Sequence, residues 1–178
     1  MYKKDNETSH QSMIHEGRVI EFRPVTPNDN ERLAAFARGL SFSTRYFRFG
    51  RGDAEFTDDQ VERLCNPDAA VARHLIAVTD ENGKCIQIGS ARFQVEQDGE
   101  SCDLGILVAD AWQGTRVAHR LIMLLIDSAR ERGLKRMTAH VLGTNVRMLR
   151  FARRHGFVAV PGCERPAIET LSLCLQGI

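Results

Sequence analysis

Residues 113–118 read Gln-Gly-Thr-Arg-Val-Ala and are the stretch best suited, by residue type and spacing, to bind an anion. An apolar run over residues 104–109 precedes them, and a helix with apolar residues at helical spacing follows between Val117 and Ala129. This order predicts a buried strand, a tight turn and a helix whose first amide groups point back at the strand. Those amides have no acceptor within the helix, so they predict a seat for a negatively charged group.

A second stretch with chemical potential covers residues 41–52, which read SFSTRYFRFGRG. Interleaved aromatic rings and arginines could stack on nucleobases. The alternative is a short helix that buries its aromatic rings while its arginines contact solvent or an acidic ligand. The net charge of only +1 favours this second interpretation, because no bulk positive field attracts nucleic acid.

Metal and disulfide chemistry are not expected from the sequence. The five cysteines never form a Cys-x-x-Cys pair. The six histidines show neither the His-x-x-x-His nor the His-Glu-x-x-His spacing of metal sites. We therefore predict that the protein has no metal site.

The composition indicates a soluble globular protein, with a hydrophobic fraction of 43% and a charged fraction of 26%. No run approaches the roughly 18 apolar residues of a membrane span. Residues 1–17 lack the apolar region of a signal peptide. We therefore expect a cytoplasmic protein with no membrane partner and no nucleic-acid partner.

The elements that position these residues are expected to form one α+β domain over residues 18–178, preceded by a flexible arm at residues 1–17. Tight turns near residues 80–83 and 97–99 join three strands into an antiparallel meander. The strand after the long helix is reached by a crossover, so it should lie parallel to the strand before the helix. We expect a central mixed sheet of about six to seven strands, mostly antiparallel, flanked by about four helices. The predicted strands cover residues 18–25, 72–79, 84–95, 100–109, 134–142, 157–160 and 168–175.

Three segments resemble motifs of the GNAT acetyltransferase superfamily. Gln113 and Ala118 occupy the first and last positions of its acyl-CoA pyrophosphate loop, Q/R-x-x-G-x-G/A, and Arg116 stands where that loop has its middle glycine. Residues 145–157, NVRMLRFARRHGF, are similar to the superfamily's N-x-x-hydrophobic…G-F helix and strand. The run LSFSTRYFRF looks like the opening of the bacterial protein-lysine acetyltransferase branch. Over roughly residues 18–160, the chain is closest in pattern to the single-domain form of that branch.

The resemblance implies an N-acetyltransferase that moves an acetyl group from acetyl-CoA, its cosubstrate, to an amine by direct transfer in a ternary complex. The acceptor would be a protein lysine or a small-molecule amine. Main-chain groups of the strand before the loop would hold the pantetheine arm and polarise the thioester, often at a bulge, and the loop amides would hold the diphosphate. The cofactor-binding residues implied in this way are Ile106, Leu107, Val108, Gln113, Gly114, Thr115, Arg116, Val117, Ala118, His119 and Asn145.

The same branch usually carries a glutamate ten residues before the loop glutamine, and Asp103 stands at that position here. As the catalytic base, Asp103 would take a proton from the amine through a water molecule, because its side chain is one methylene shorter than that of glutamate. It could equally be an outward-facing charge on its strand. The tyrosine that protonates the leaving thiolate in many members is replaced by Ala152. Cys102 and His140 are expected to be packed residues rather than reactive ones.

Several alternatives stay open on the sequence alone. The chain could be a catalytically weakened acyl-CoA-binding or protein-interaction module with the same fold. The Arg116 guanidinium could strengthen diphosphate binding or crowd the turn. Asn145 could act only as a helix cap. A homodimer paired through the terminal strand near residues 171–175 is a further hypothesis.

Overall fold

The computed structural model describes residues 11–161 and 167–176 and shows one eight-stranded sheet with five α-helices. The strands are β1 (Gln11–His15), β2 (Arg18–Pro24), β3 (Ala72–Glu81), β4 (Lys84–Val95), β5 (Ser101–Val108), β6 (Arg136–Leu142), β7 (Val158–Ala159) and β8 (Ile168–Cys174). The helices are α1 (Asn30–Gly39), α2 (Phe42–Phe49), α3 (Asp58–Cys65), α4 (Val117–Glu131) and α5 (Val146–Arg154). Single 3-10 turns lie at Pro27–Asp29 and Asp110–Trp112.

The strand order is β1-β2-β3-β4-β5-β6-β8-β7. Every neighbouring pair is antiparallel except β5 and β6, which are parallel because α4 crosses between them. The predicted mixed, mostly antiparallel sheet and the parallel crossover are therefore confirmed. The sheet has one more strand and the domain one more helix than the predicted upper counts.

The additional strand is β1, and it corrects the prediction of a flexible arm for residues 11–15. β1 pairs with β2 in register from Gln11 opposite Phe22 to His15 opposite Arg18. The connecting turn places Glu16 at φ 48° and Gly17 at φ 76°. Two positive φ angles are what a tight hairpin requires, but glutamate is an uncommon residue there, so the turn signal was missed. Residues 1–10 of the predicted arm lie outside the described residues.

The two faces of the sheet are covered by different helices. Alternation along β3 places Leu75 and Ala77 in the core beneath α4, whereas Ile76 and Val78 pack with residues of α1 and α3 on the opposite face. The apolar stripe of α4 is buried because it faces the sheet along its whole length. Its fully buried residues are Val117, Leu121, Ile122, Leu125 and Ala129. No helix in the described part of the chain is long and apolar enough to cross a membrane.

β5 and β6 separate at their carboxyl ends. Their ladder runs only from Ser101 opposite Arg136 to Asp103 opposite Thr138, although β5 continues to Val108 and β6 to Leu142. β5 remains paired with β4 along this length. The sheet is therefore split open between β5 and β6.

The bulge lies on a different strand pair from the one the resemblance implied. The β4–β5 register is continuous through Ile106, Leu107 and Val108. The shift instead falls between β3 and β4, where Ala77 faces Gly89 and Val78 faces Gln87. The extra residue is therefore on β4, one strand away from the cleft.

The terminal strand, considered for a dimer over residues 171–175, is covered by β7 at two of these residues. β8 lies between β6 and β7, and Val158 and Ala159 of β7 pair with Ser172 and Leu171. Leu171 and Ser172 are therefore not free to pair across a dimer, because their backbone groups are already paired on both sides. A homodimer formed in another way stays untested.

Candidate functional site

The opening between β5 and β6 forms a cleft of about 840 Å³. Its walls come from five segments of the chain, namely α2, β5, the turn before α4, β6, and the start of α5. Ile106, Leu107 and Val108, which the resemblance implies as cofactor-binding residues, line it along β5, and Ala139 and Val141 line it from β6. Their binding role stays a prediction. Since β5 pairs only with β4 beyond Asp103, half of its main-chain donors and acceptors point into this cleft.

Gln113 connects the turn before α4 to three neighbouring elements by hydrogen bonds. Its Nε2 donates to the main-chain oxygen of Val108 and to Oγ1 of Thr44, both at 3.2 Å. Its Oε1 accepts a hydrogen bond of 2.9 Å from Arg147 on α5. The first residue of the loop motif thus joins β5, α2 and α5, and it fixes where the first amides of α4 point.

The N-terminus of α4 differs from those of three other helices. Ser41, Thr57 and Asn145 cap α2, α3 and α5 by accepting a hydrogen bond from a first-turn amide. α4 has no side-chain cap and no acidic residue in its first turn. Its amides therefore remain available to an external acceptor at the mouth of the cleft.

This arrangement fits a diphosphate. Gly114, at φ 86°, and Ala118 both line the cleft, and neither has a side chain long enough to keep an anion away from the backbone. The residues present can thus seat a phosphate group at the positive end of α4.

Arg116 adopts a left-handed backbone conformation, with φ 67° and ψ −6°. This explains why the loop motif has glycine here, since only glycine adopts that region without strain. The Arg116 side chain is exposed and lines a separate groove with Met13, Ile14 and Arg120. Arg116 therefore keeps the turn geometry of the motif without occupying the cleft.

The remaining loop residues also direct their side chains elsewhere. Thr115 donates from its hydroxyl to the Trp112 carbonyl at 2.5 Å, and Val117 is fully buried in the core. His119 faces the same outer groove as Arg116, and its Nδ1 lies 2.8 Å from Nε2 of His155. Of the six residues from Gly114 to His119, only Gly114 and Ala118 line the cleft, so the others can contribute main-chain amides alone.

Asn145 lies where it can act both as a helix cap and as part of the cleft wall. Its Oδ1 accepts a 3.1 Å hydrogen bond from the Met148 amide, which caps α5, and the residue also lines the cleft. The cap is confirmed by this contact. Binding of a ligand by Asn145 stays a prediction.

Asp103 lies where β5 and β6 begin to separate. Its side chain is 40% exposed, yet Oδ1 is buried and has no hydrogen-bond partner among the described residues. Nε2 of His140 lies 3.9 Å from this oxygen. Burial raises the pKa of Asp103, and the charges of His140, Arg48 and Arg92 offset part of that rise. A carboxylate with a raised pKa and a free acceptor oxygen is a stronger base than an ordinary aspartate.

Cys102 and His140 were both expected to be packed residues, and the structure confirms this for Cys102 alone. Cys102 is fully buried, burial raises the pKa of its thiol to about 12, and it is therefore not a nucleophile near neutral pH. His140 was expected to be buried, which is wrong. Its side chain is 42% exposed, and Nδ1 contacts Oγ1 of Thr170 at 3.2 Å. Ala152 is buried and offers no proton donor.

The sequence alone did not identify how α2 is held against the turn before α4. The Asp110 carboxylate accepts hydrogen bonds from the Ser41 amide at 3.0 Å, the Ser41 hydroxyl at 2.7 Å and the Thr44 hydroxyl at 2.8 Å. Burial by itself would raise the pKa of Asp110, but these bonds hold it below its usual value. They fix α2 over β5 and bring Arg48 into the cleft wall.

Arg48 belongs to the basic-aromatic stretch whose arginines were expected to contact solvent or an acidic ligand, so the sequence contained a signal for it. Arg92, which lies beside it, had none, because a single arginine on a strand looks like any surface charge. Within residues 11–161 and 167–176, no group of three or more His, Cys, Asp or Glu side chains is placed to hold a metal ion.

The sequence model of the Acetyltransferase (GNAT) family matches residues 36–157. An acetyltransferase of Pseudomonas aeruginosa is 28% identical over 145 residues, which cover 82% of this chain and 78% of that protein. Acetyltransferase Pat of Mycolicibacterium smegmatis is 31% identical over 148 residues, which cover 83% of this chain and 44% of that protein.

Solved structures give the same result for the fold. The GNAT domain of S. lividans PAT has a TM-score of 0.82 at 26% identity, covering 93% of this chain and 96% of that one. The PaiA N-acetyltransferase of Thermoplasma acidophilum, solved in complex with coenzyme A, has a TM-score of 0.70 at 13% identity, covering 87% of this chain and 98% of that one. With its split sheet, its uncapped α4 and these relatives, the chain belongs to the GNAT acetyltransferase family and is an acyltransferase of that family.

Proposed function

We propose that this protein transfers an acetyl group from acetyl-CoA to an amine, in a ternary complex formed in the cleft between β5 and β6. One observation carries the proposal. α4 begins at the mouth of the cleft with neither a side-chain cap nor an acidic residue in its first turn, whereas α1, which also lacks a side-chain cap, carries Glu31 in its first turn. The acetyl-CoA diphosphate would take the place of the missing cap.

The two sides of the cleft have different tasks in this proposal. Free main-chain groups of residues 104–108 hold the pantetheine arm by adding it as a strand-like partner to β5, and they polarise the thioester carbonyl. Asn145 and the α4 amides hold the other end of the cosubstrate. Acetyl-CoA supplies the acetyl group in activated form, as a thioester.

Asp103 supplies the base. A primary amine has an ordinary pKa of about 10.4 and is mostly protonated near neutrality, so it must lose a proton before it attacks. The buried Oδ1 of Asp103 takes that proton through a water molecule, and the raised pKa makes the carboxylate a stronger base than an ordinary aspartate. Solvent protonates the released thiolate, since Ala152 provides no acid.

The acceptor is a protein lysine or a small-molecule amine. Acetyltransferase Pat and the solved PAT domain are relatives of this chain and support acetyl transfer, and the amine acceptor is what the motif resemblance implies. The second candidate function is a catalytically weakened acyl-CoA-binding module, which the Arg116 and Asp103 replacements favour. The position of the Arg116 side chain outside the cleft weighs against this alternative.

Two measurements on the full chain separate these functions. A thermal shift with acetyl-CoA reports binding, since ligand at one hundred times its dissociation constant stabilises a protein by about 2.7 kcal/mol. Release of free CoA thiol is then followed with a panel of amines. The proposal predicts a thermal shift and amine-dependent release. A shift without release would indicate the binding module, and no shift would contradict both.

A further inference from the structure

Arg48 is a half-buried cation without an acidic partner. Its guanidinium lies over Gly105 of β5, so closely that a methyl group at Gly105 would overlap it. Its one aromatic contact is the Phe49 ring, 5.6 Å from the guanidinium carbon. Within the described chain it forms no ion pair and no hydrogen bond, and Asp103 lies beyond ion-pair distance. Burying an unpaired guanidinium costs free energy, so a partner is to be expected in the working complex.

Arg92 adds a second charge at the same place. It lies directly opposite Gly105 in the β4–β5 ladder, so its side chain projects from the face of the sheet that Arg48 covers. Arg92 is exposed and has no acidic partner in the described part of the chain. After burial, its charge is the next cause that lowers the pKa of Arg48, which indicates that the two guanidiniums repel each other. The fold therefore holds two adjacent cations on which the Asp103 charge acts, although neither guanidinium forms an ion pair with it among the described residues.

The pair lies next to the reacting end of the cleft. Asp103 and Gly105 share one face of β5, two residues and hence about 7 Å apart. Arg48 lines the cleft, both arginines line a small cavity of about 60 Å³, and Arg92 opens onto a groove of about 520 Å³ beneath α3. Arg92 lines both this groove and the small cavity, and Arg48 lines both the small cavity and the cleft, so the two arginines lie between the groove and the cleft.

We propose that Arg48 and Arg92 form a subsite for a carboxylate carried by the acceptor, which restricts the acceptors to amines bearing an anionic group several bonds away. This inference rests on the proposed function. One guanidinium matches a planar carboxylate by two parallel hydrogen bonds, and the second adds a positive charge and a further hydrogen-bond donor beside it. In free lysine, several bonds separate the ε-amine from the α-carboxylate. The amine can therefore lie near Asp103 while the carboxylate contacts the arginines at Gly105, about 7 Å along the strand. A polyamine brings only positive charge, so the subsite repels it.

The test uses two probes that differ only in charge. Nα-acetyl-lysine carries a free carboxylate, and Nα-acetyl-lysine methylamide is neutral at the same place. Each is titrated calorimetrically into the full chain saturated with CoA, where no acetyl group can be transferred. We expect the carboxylate probe to bind about tenfold to one hundredfold more tightly, as charge-assisted hydrogen bonds require.

Three variants locate the effect. Arg92→Gln removes one cation, and Gly105→Ala displaces the Arg48 guanidinium without removing its charge; each should reduce the discrimination to less than about threefold. Arg63→Gln, which removes an arginine elsewhere in the same groove, is the matched control and should retain it. A thermal melt without ligand confirms that every variant is folded. A lysine peptide with glutamate next to the lysine, compared with its glutamine counterpart, tells whether the carboxylate is terminal or belongs to a side chain.

The outcomes of this inference and of the proposed function are separable. Equal binding of both probes to the wild-type chain overturns the subsite, even if acetyl transfer occurs. Equal discrimination in all variants, or loss of it in Arg63→Gln, assigns the effect to other residues and also overturns it. Preference for the carboxylate without any CoA release supports the subsite and contradicts the acetyltransferase reaction.

Discussion

The two sides of β5 are built in different ways. The side that faces α4 uses segments that follow one another in the chain, and it offers main-chain amides to a ligand. The side that faces α2 uses side chains from distant segments, because Arg48, Arg92 and Asp103 come from α2, β4 and β5. The first side is therefore set by a short motif. The second is set by how α2 docks on the sheet.

Because of this difference, the two sides should tolerate different substitutions. A backbone site should tolerate replacement of its side chains as long as the turn keeps its φ angles, and Arg116 keeps the positive φ that glycine favours. A side-chain site is lost when one element moves. The following predictions, in decreasing order of expected effect, test whether the two sides can be changed independently.

Asp103→Asn should lower kcat by about one hundredfold to ten thousandfold, because it removes the base and keeps the shape. Activity of the wild-type chain should fall as the pH is lowered and the Asp103 carboxylate becomes protonated. Because the pKa of Asp103 is raised, this loss should occur at a higher pH than for an ordinary aspartate. The variant should lack this acidic limb in its profile of kcat/KM against pH.

Asp127→Asn on the exposed face of α4 is the matched control and should leave the rate unchanged. The dissociation constant for CoA should be the same in all three proteins, because Asp103 lies on the α2 side. An Asp103→Asn enzyme with an unchanged kcat and an intact acidic limb in its pH profile would contradict the role of Asp103 as the base.

Asp29→Asn should lower the free energy of unfolding by about 3–5 kcal/mol. Asp29 is fully buried and accepts two 2.8 Å hydrogen bonds from the Arg23 guanidinium and two 2.9 Å bonds from Thr26. It also pairs with Arg32 at the start of α1. The measurement is urea unfolding, with Asp59→Asn on α3 as the exposed control.

The pH dependence of that stability has a defined sign. Burial by itself would raise the pKa of Asp29, but the bonds from Arg23 and Thr26 hold it well below the usual value. The ion pair therefore stabilises the protein above the unfolded pKa of about 3.9, and this contribution is lost as pH falls below it. Unfolding curves of wild type and Asp29→Asn that stay apart by the same amount from pH 6 to pH 2 would contradict this account.

Asn145→Ala should lower stability by about 1 kcal/mol, because the Met148 amide loses its cap. For a chain of this size the melting temperature falls by about 2–4 °C. Asn145→Asp retains a capping oxygen and should melt like the wild type. If Asn145 also contacts the cosubstrate, the aspartate variant should bind acetyl-CoA more weakly in spite of its intact cap, and equal affinity would leave Asn145 with the cap alone.

Arg116→Gly should have the smallest effect. Relief of the left-handed conformation gains about 1–2 kcal/mol, and the greater freedom of glycine in the unfolded chain offsets about 0.5–1 kcal/mol of it. We expect a slightly higher melting temperature and a dissociation constant for CoA within about threefold, since the side chain lies outside the cleft. A tenfold loss of affinity would show that the guanidinium reaches the diphosphate.

The same contrast explains how much could be predicted from the sequence. The order of strand, turn and helix around residues 104–133 and the parallel crossover to β6 follow from periodicity and chain connectivity, which are local signals. β1 was missed because its hairpin turn has glutamate at a positive φ. The exposure of His140 and the convergence of Arg92 with Arg48 depend on contacts between segments distant in sequence, which a single sequence does not encode in a readable pattern.

Hydrogen–deuterium exchange of the full chain with and without acetyl-CoA tests the central claim most directly, namely that the amides at the start of α4 seat the cosubstrate. The account predicts that exchange slows at residues 114–119, which have no cap in the free protein, while the hairpin of β1 and β2 is unchanged. Protection elsewhere, with residues 114–119 exchanging as in the free protein, would contradict it.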